Sequence, residues 1–345
     1  LVGEWTRPLP AETVMERLQA AGVPAGVVQH AQDLLERDID IIGVGTPMQM
    51  HVPVSVAALE AGKHVLSEVT AAVTMDECWQ LLEAVKKSGK KYMMAENCCY
   101  SKHNMLIEEM VSKGMFGDVY FAEGAYVHNC SRHFVDKKGE PTWRVKWQVG
   151  RLGSTYGTHA LGPCARWIGE RVTEVSCFGS GVHTNPQYKS DDAVIVLCRT
   201  ESGKLIKTCL DIQSHRPYAM GFSLQGTKGA YQFAGSEGDE HRIYLDEDGD
   251  EKDGWRSLWD YSEHLPQCWT GADALRAQEA GHGGSDYIEV LGYVNCILND
   301  TRPPIDIYDA LNWTAVDLCS MESIQNGGKV VAVPDFGEKK EAKLA

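Results

Sequence analysis

The stretch Ile41-Ile42-Gly43-Val44-Gly45-Thr46-Pro47-Met48-Gln49-Met50-His51 decides the fold. Together with Ile39 and Asp40 it starts as a buried apolar run of the kind parallel strands use. Two glycines and a Thr-Pro turn follow, and His51 opens a helical pattern that continues to Ala61 and stops at Gly62. In a doubly wound sheet a ligand sits here, outside the carboxyl end of the strand, with helix amides available to a phosphate. Working outward, His64-Val65-Leu66 and Lys91–Met94 read as the next strands. Between them Thr74 and Glu77 form a capping box for a helix with Leu81, Leu82 and Val85 inward, which ends at Gly89. On the amino-terminal side, residues 11–21 read as a helix, 25–29 as a short strand and 32–37 as another helix. Repeated strand–helix–strand units imply a parallel sheet covered on both faces.

The pattern then changes. After a helix from Ser101 to Lys113 come strands over Asp118–His128, Thr173–Gly181, Ala193–Cys198, Leu205–Ile212, Phe222–Gln225, Ala230–Phe233 and Arg242–Leu245. The turns Glu201-Ser202-Gly203, Gly226-Thr227-Lys228-Gly229 and Asp248-Gly249-Asp250 join successive strands as hairpins do, which predicts a large open antiparallel sheet. Late helices, Tyr287–Leu298 and Ile307–Asn326, are expected to cover one of its faces. A chain of 345 residues exceeds what a single core usually serves. The expected division is a dinucleotide-binding unit over 1–100 and a substrate-binding and oligomerisation unit of α+β type over 101–345.

A net charge of −15, spread along the chain, argues against nucleic-acid and anionic-membrane partners, since both need a basic face. Eleven cysteines scattered through apolar surroundings suggest a reducing compartment, and Cys98-Cys99 reads as packing rather than as a metal or redox pair. No metal is expected. No apolar run approaches the ~20 residues that span a bilayer, so the expected location is cytoplasmic.

The run TPMQMHVPVSVAALEAGKHVLSEV (46–69) resembles the cofactor half of Gfo/Idh/MocA proteins, and LQGTKGAY (224–231) a strand turn of their second half. MMAENCCY (93–100), GAYVHN (124–129), Trp143-Arg144, YGTHALGP (156–163) and GHGGSDY (281–287) resemble the NAD-dependent glycoside hydrolases of the α-N-acetylgalactosaminidase type within that class. The resemblance implies NAD contacts from Met48, Gln49, Met50, His51, Glu68, Val69 and Asn97, and sugar contacts from Tyr126, Arg144, Tyr156 and His159. It also implies a sugar or glycoside substrate and a homo-oligomer.

Elementary chemistry supports part of this. Tyr156 and His159 lie three apart, so at a helix start they face one side and can bracket a single carbon as base and hydroxyl partner. The competing reading is a packed tyrosine and a merely hydrogen-bonded histidine. Trp143, Arg144, Lys146 and Trp147 offer sugar faces a stacking surface and hydroxyls a donor, or they form a solvated basic strand. His282-Gly283-Gly284 brings backbone close to a ligand or caps the following helix.

The sequence departs from the family at several places. Val69 stands where dehydrogenases of the class carry a proton-carrying Lys, Thr70 where the hydrolase pattern has Pro, and Thr155 where the dehydrogenases place Asp. No G-x-G-x-x-G turn precedes Gly43, so the front end, residues 1–36, reads as truncated or replaced. Residues 5–35 resemble instead a segment of family III CoA-transferases. The expected activity is glycoside hydrolysis by transient oxidation and elimination, with Tyr156 abstracting a proton and His159 serving the oxidised hydroxyl. The alternatives are an NAD(P)-dependent sugar or inositol dehydrogenase and a catalytically disabled fusion remnant.

Overall fold

A computed structural model describes residues 38–235, 239–246 and 254–337. The elements expected over 11–37, the CoA-transferase-like stretch and the turn at Asp248-Gly249-Asp250 lie outside these residues. Three strands, β1 (Ile41–Val44), β2 (His64–Glu68) and β3 (Tyr92–Ala95), form a parallel sheet in that order. Helices α1 (His51–Glu60) and α2 (Met75–Ser88) connect them. The capping box forms with one shift. Thr74 Oγ1 accepts from Glu77 N at 3.2 Å, but the Glu77 carboxylate reaches back to Val73 N rather than to Thr74 N. Asp76 and Glu77 in the first turn and Lys86 and Lys87 in the last complement the helix dipole, and Gly89 takes the left-handed conformation (φ 64°) that ends the helix. All four residues of β3 are buried although it lies at the edge of its sheet.

After α3 (Lys102–Ser112) the chain enters a nine-stranded sheet. In chain order its strands are β4 (Val119–Val127), β5 (Val172–Gly179), β6 (Val194–Thr200), β7 (Leu205–Asp211), β8 (Ala219–Gly226), β9 (Gly229–Gln232), β10 (Arg242–Leu245), β11 (Arg256–Ser257) and β12 (Val331–Ala332). Spatially they run β11-β10-β9-β8-β4-β7-β6-β5-β12. The expected antiparallel sheet is in fact mixed, because β4 pairs with β7 in parallel. Parallel neighbours need a crossover, and the chain makes one through α4 (Trp143–Trp147) and α5 (Thr158–Ile168) before the β5–β6–β7 meander returns to the side of β4. The Trp143–Trp147 run is thus a short helix, not a strand. Strands β11 and β12 have two residues each, too few for an alternation to be read from sequence.

Two helices fix the two sheets to each other. Helix α5 lies on β4 so closely that a Cβ added at Gly124 would sit 1.9 Å from the Ala160 carbonyl oxygen. After α6 (Ala272–Ala277) and α7 (Ser285–Leu298), α8 (Ile307–Gln325) packs against β5 and α5 on one side and α2 and β3 on the other. Asp306 caps α8 by accepting from Tyr308 N and Asp309 N. Hydrogen bonds cross the junction: Met94 N donates to Ile305 O at 3.2 Å, Ala71 N to Thr314 Oγ1 at 3.2 Å, and Tyr293 Oη to Val65 O at 2.8 Å. No helix among the described residues is long and apolar enough to cross a membrane. Because the obstacle at Gly124 is helix backbone, Gly124→Ala is expected to cost about 1–3 kcal/mol of stability or more. Urea denaturation would show it, and an unchanged midpoint would mean that α5 is not seated on β4.

Candidate active site

The carboxyl ends of β1, β2 and β3 open on one side. Gly45 follows β1, and its missing Cβ would lie 4.0 Å from Cγ of Glu68 at the end of β2. Glu68 is exposed at the strand end, yet its carboxyl pKa is raised. Desolvation in the concave surroundings is the main cause; Glu96 and Asp286 add to it, while His159 and His51 oppose it. His51 is buried, with Nδ1 2.7 Å from Thr70 O and Nε2 2.8 Å from Thr46 O. Its ring therefore ties the two strand-end loops together. Met48 and Val69 are also buried, Met50 is exposed, and Gln49 Oε1 is buried without a partner. Met48 faces a small internal space beside Thr70, Trp147 and Asp317. Asn97, after β3, donates to Asp286 of α7 at 3.4 Å and lines a cavity of about 640 Å³.

Of the four residues expected to contact the sugar, Tyr126 and His159 line that cavity and Tyr156 and Arg144 do not. Tyr126, near the end of β4, and His159, in the first turn of α5, form part of its wall with His128, Tyr218 and His103. The His159 ring lies 4.8 Å from that of Tyr126 and 4.7 Å from that of Tyr156. Tyr156 and His159 do meet, but not as two helical residues: Tyr156 precedes Gly157, the N-cap of α5. Tyr126 Oη pairs with His128 Nδ1 at 2.8 Å. Arg144 lies outside the wall of this cavity; its guanidinium sits 4.5 Å from the Trp143 ring centre and 6.0 Å from that of Tyr156, and donates to Gln148. His282 lines the cavity and its Nδ1 lies 2.8 Å from Asp286 Oδ1, while Gly283 and Gly284, at φ 67° and 102°, lead into α7, of which Gly284 is the N-cap.

The residue that organises the centre was only quoted within a motif. Glu96, at the end of β3, has no solvent exposure and accepts from His159 Nδ1 at 2.6 Å. Since a carboxylate only accepts, Nδ1 carries the hydrogen and Nε2 is the nitrogen left for a ligand. Burial alone would lower the His159 pKa, but the charge and hydrogen bond of Glu96, with Glu68 and Asp317, turn the net shift upward. Gly162 permits the contact, because a Cβ there would stand 2.9 Å from Cγ of Glu96 and from Sγ of Cys99. Asp317 of α8 accepts from Gly157 N at 2.9 Å and holds the loop that carries Tyr156. Burial, as the main cause, raises the Asp317 pKa to about 7. The position of Glu96 at a parallel strand end beside Asn97 was a usable signal; Asp317, which is 160 residues from Gly157, left none.

Removing the Glu96 charge while keeping its shape should lower the His159 pKa, and a histidine ring-proton NMR titration of Glu96→Gln would follow it. In the native protein the raised value stabilises the fold below the unfolded histidine pKa, and this stabilisation is lost as pH rises through the higher folded value. Glu96→Gln should flatten that part of the melting-temperature profile. An unmoved His159 titration would mean that the pair is not the cause of the shift.

Comparison with known proteins identifies the family. Residues 7–96 match the oxidoreductase family with an NAD-binding Rossmann fold, and residues 100–342 match the C-terminal domain of glycosyl hydrolase 109. The first match takes in most of the amino-terminal stretch that lacks a Gly-rich turn. A glycosyl hydrolase family 109 protein of Shewanella pealeana is 30% identical, over 96% of this chain and 78% of that one. An α-N-acetylgalactosaminidase of Shewanella oneidensis is 30% identical, over 88% of this chain and 71% of that one. Among solved structures, levoglucosan dehydrogenase in complex with NADH and levoglucosan superposes with a TM-score of 0.75 at 22% identity, over 94% of this chain and 88% of that one, a likeness of fold. With a Rossmann-type sheet at its front and the family's carboxyl-terminal domain over most of its length, the chain belongs to the glycosyl hydrolase 109 family and is an NAD-dependent, sugar-active enzyme.

Proposed function

We propose that the enzyme hydrolyses α-N-acetylgalactosaminides or closely related glycosides by oxidising a ring hydroxyl, eliminating the anomeric substituent and reversing the oxidation after water has added. The observation that carries this reading is the buried Glu96–His159 pair beside Tyr126 and Tyr156, at the wall of a cavity large enough for a glycoside. NAD⁺, when bound, supplies reversible hydride acceptance at a ring carbon. The strand ends suit it chemically. Glu68 and the unpartnered Gln49 Oε1 are acceptors for ribose hydroxyls, Asn97 offers an amide, and Met48, Met50 and Val69 present apolar surface. His51 would act by shaping that loop, since both ring nitrogens already face backbone carbonyls.

His159 Nε2 takes the proton of the hydroxyl undergoing oxidation, and the resulting imidazolium then donates to the carbonyl oxygen. Glu96 makes this favourable by stabilising the charged ring. A carbonyl at carbon 3 acidifies the proton on carbon 2, which Tyr156 removes. Burial pushes the Tyr156 phenol up, Arg144 pulls it down, and Glu96 and Glu68 push it up. Tyr156 therefore becomes a base only with a cation close by. Loss of the anomeric substituent leaves an unsaturated keto sugar, and water adds to it. Tyr126 and Arg144 position the ring. This route needs no pair of carboxyl groups flanking the scissile bond, unlike ordinary glycosidases. Val69, in place of the dehydrogenase Lys, favours it over simple alcohol oxidation.

The domain division near residue 100 follows the change from parallel to mixed sheet. The half-buried outer face of the large sheet, with Leu197 exposed on β6, is the surface for self-association. All eleven cysteines are free thiols, which suits the cytoplasm. With an aryl α-N-acetylgalactosaminide, aryl release should require NAD⁺ in catalytic amount only and leave no NADH behind. Tyr156→Phe should lower the rate by about 10²–10⁴-fold. Steady NADH formation without aryl release would move the assignment to a sugar dehydrogenase. Absence of turnover with any sugar in excess NAD⁺ would make the chain a disabled remnant.

A further inference from the structure

The three side chains that meet beneath the cavity are also a metal-ligand set. Cys98 Sγ is 3.5 Å from His159 Nδ1, Glu96 Oε1 is 2.6 Å from the same nitrogen, and the donor atoms of all three lie within 4.8 Å of one another. Zinc takes sulfur at about 2.3 Å and nitrogen or oxygen at about 2.0–2.2 Å, so a tetrahedral ion separates its S and N ligands by about 3.5 Å and its N and O ligands by about 3.4 Å. The sulfur–nitrogen spacing already has this value. The nitrogen–oxygen spacing must open by just under about 1 Å, as it would if an ion replaced the proton between Glu96 and His159. A second feature points the same way. Glu96 is wholly buried and its Oε2 has no partner, so one acceptor of this carboxylate is unsatisfied. Glu289 Oε1, on the neighbouring helix, is likewise buried and unpartnered.

We propose that Glu96, Cys98 and His159 bind a borderline-soft divalent cation of the zinc type. Cys98 Sγ, His159 Nδ1 and one Glu96 oxygen are the ligands, and the fourth position faces the cavity that Cys98 and His159 line. Binding displaces the Cys98 thiol proton and the proton shared by Glu96 and His159. A thiolate–imidazole–carboxylate set selects zinc or cobalt over magnesium, which prefers six oxygens. The ion occupies groups to which the hydrolase reading gives catalytic work, so on that reading it inhibits the enzyme. Its binding does not depend on that reading.

Cobalt(II) is the probe, because a cobalt–thiolate bond gives a near-ultraviolet charge-transfer band whether or not the enzyme turns over any sugar. Titration of the full chain should show one equivalent bound with this band, displaced by zinc and not by excess magnesium. Cys98→Ala should abolish the band, and Glu96→Gln and His159→Gln should each weaken binding by about 10–100-fold or more. Cys268→Ser, at a half-buried thiol outside the cluster, should leave the band unchanged. Circular dichroism confirms that each variant is folded, and Cys98→Ser replaces Cys98→Ala if the latter is not. No band in the native protein, a band that survives loss of the Cys98 sulfur, or binding indifferent to Glu96 and His159 would each overturn the proposal.

Discussion

The contact between Glu96 and His159 is the constraint from which the site follows. Glu96 follows β3, an edge strand of the parallel sheet, and His159 stands in the first turn of the helix seated on the large sheet. Neither group could be buried alone without a large desolvation cost, so each requires the other sheet to be in place. Two glycines set the approach: Gly124 lets α5 down onto β4, and Gly162 lets α5 reach the end of β3. The same contact fixes the imidazole tautomer and raises its pKa. On the proposed mechanism, the interaction that joins the sheets also prepares the histidine for proton transfer.

Much of the fold was legible in local sequence. The Thr74–Glu77 cap, the stop at Gly89, the buried β3 and the alternation along β4 to β10 are short-range signals that tertiary context did not override. The parallel pairing of β4 with β7 was not legible, because strand direction within a sheet depends on where a crossover of more than 70 residues sends the chain. Strand β12 is two residues long and owes its place to α8 packing on β5.

The site divides along the same line. Tyr126, Tyr156, His159 and Asn97 were marked by motifs, and the fold brings them to one cavity or to its immediate edge. Arg144 reaches Tyr156 instead of the cavity wall, which makes its effect on the phenol its nearest electrostatic task. Asp317 shows what sequence reading cannot reach. A buried carboxyl group on the last long helix holds the Gly157 amide, and only the folded chain brings the two together. His51, expected among the cofactor contacts, spends its ring on two loop carbonyls and so supports the strand ends from below.

The proposed transient oxidation of the sugar has its direct signature in the proton on carbon 2. On the proposed mechanism that proton is abstracted while carbon 3 is a carbonyl, and the phenol of Tyr156 exchanges it with solvent before water has added and the sugar is restored. Hydrolysis of an aryl α-N-acetylgalactosaminide in deuterated water should therefore leave deuterium at carbon 2 of the released sugar, read by NMR or mass spectrometry. Release of the aryl group with no deuterium at carbon 2 would contradict the account, because it would mean that the glycosidic bond is broken without the carbonyl on which every assigned role depends.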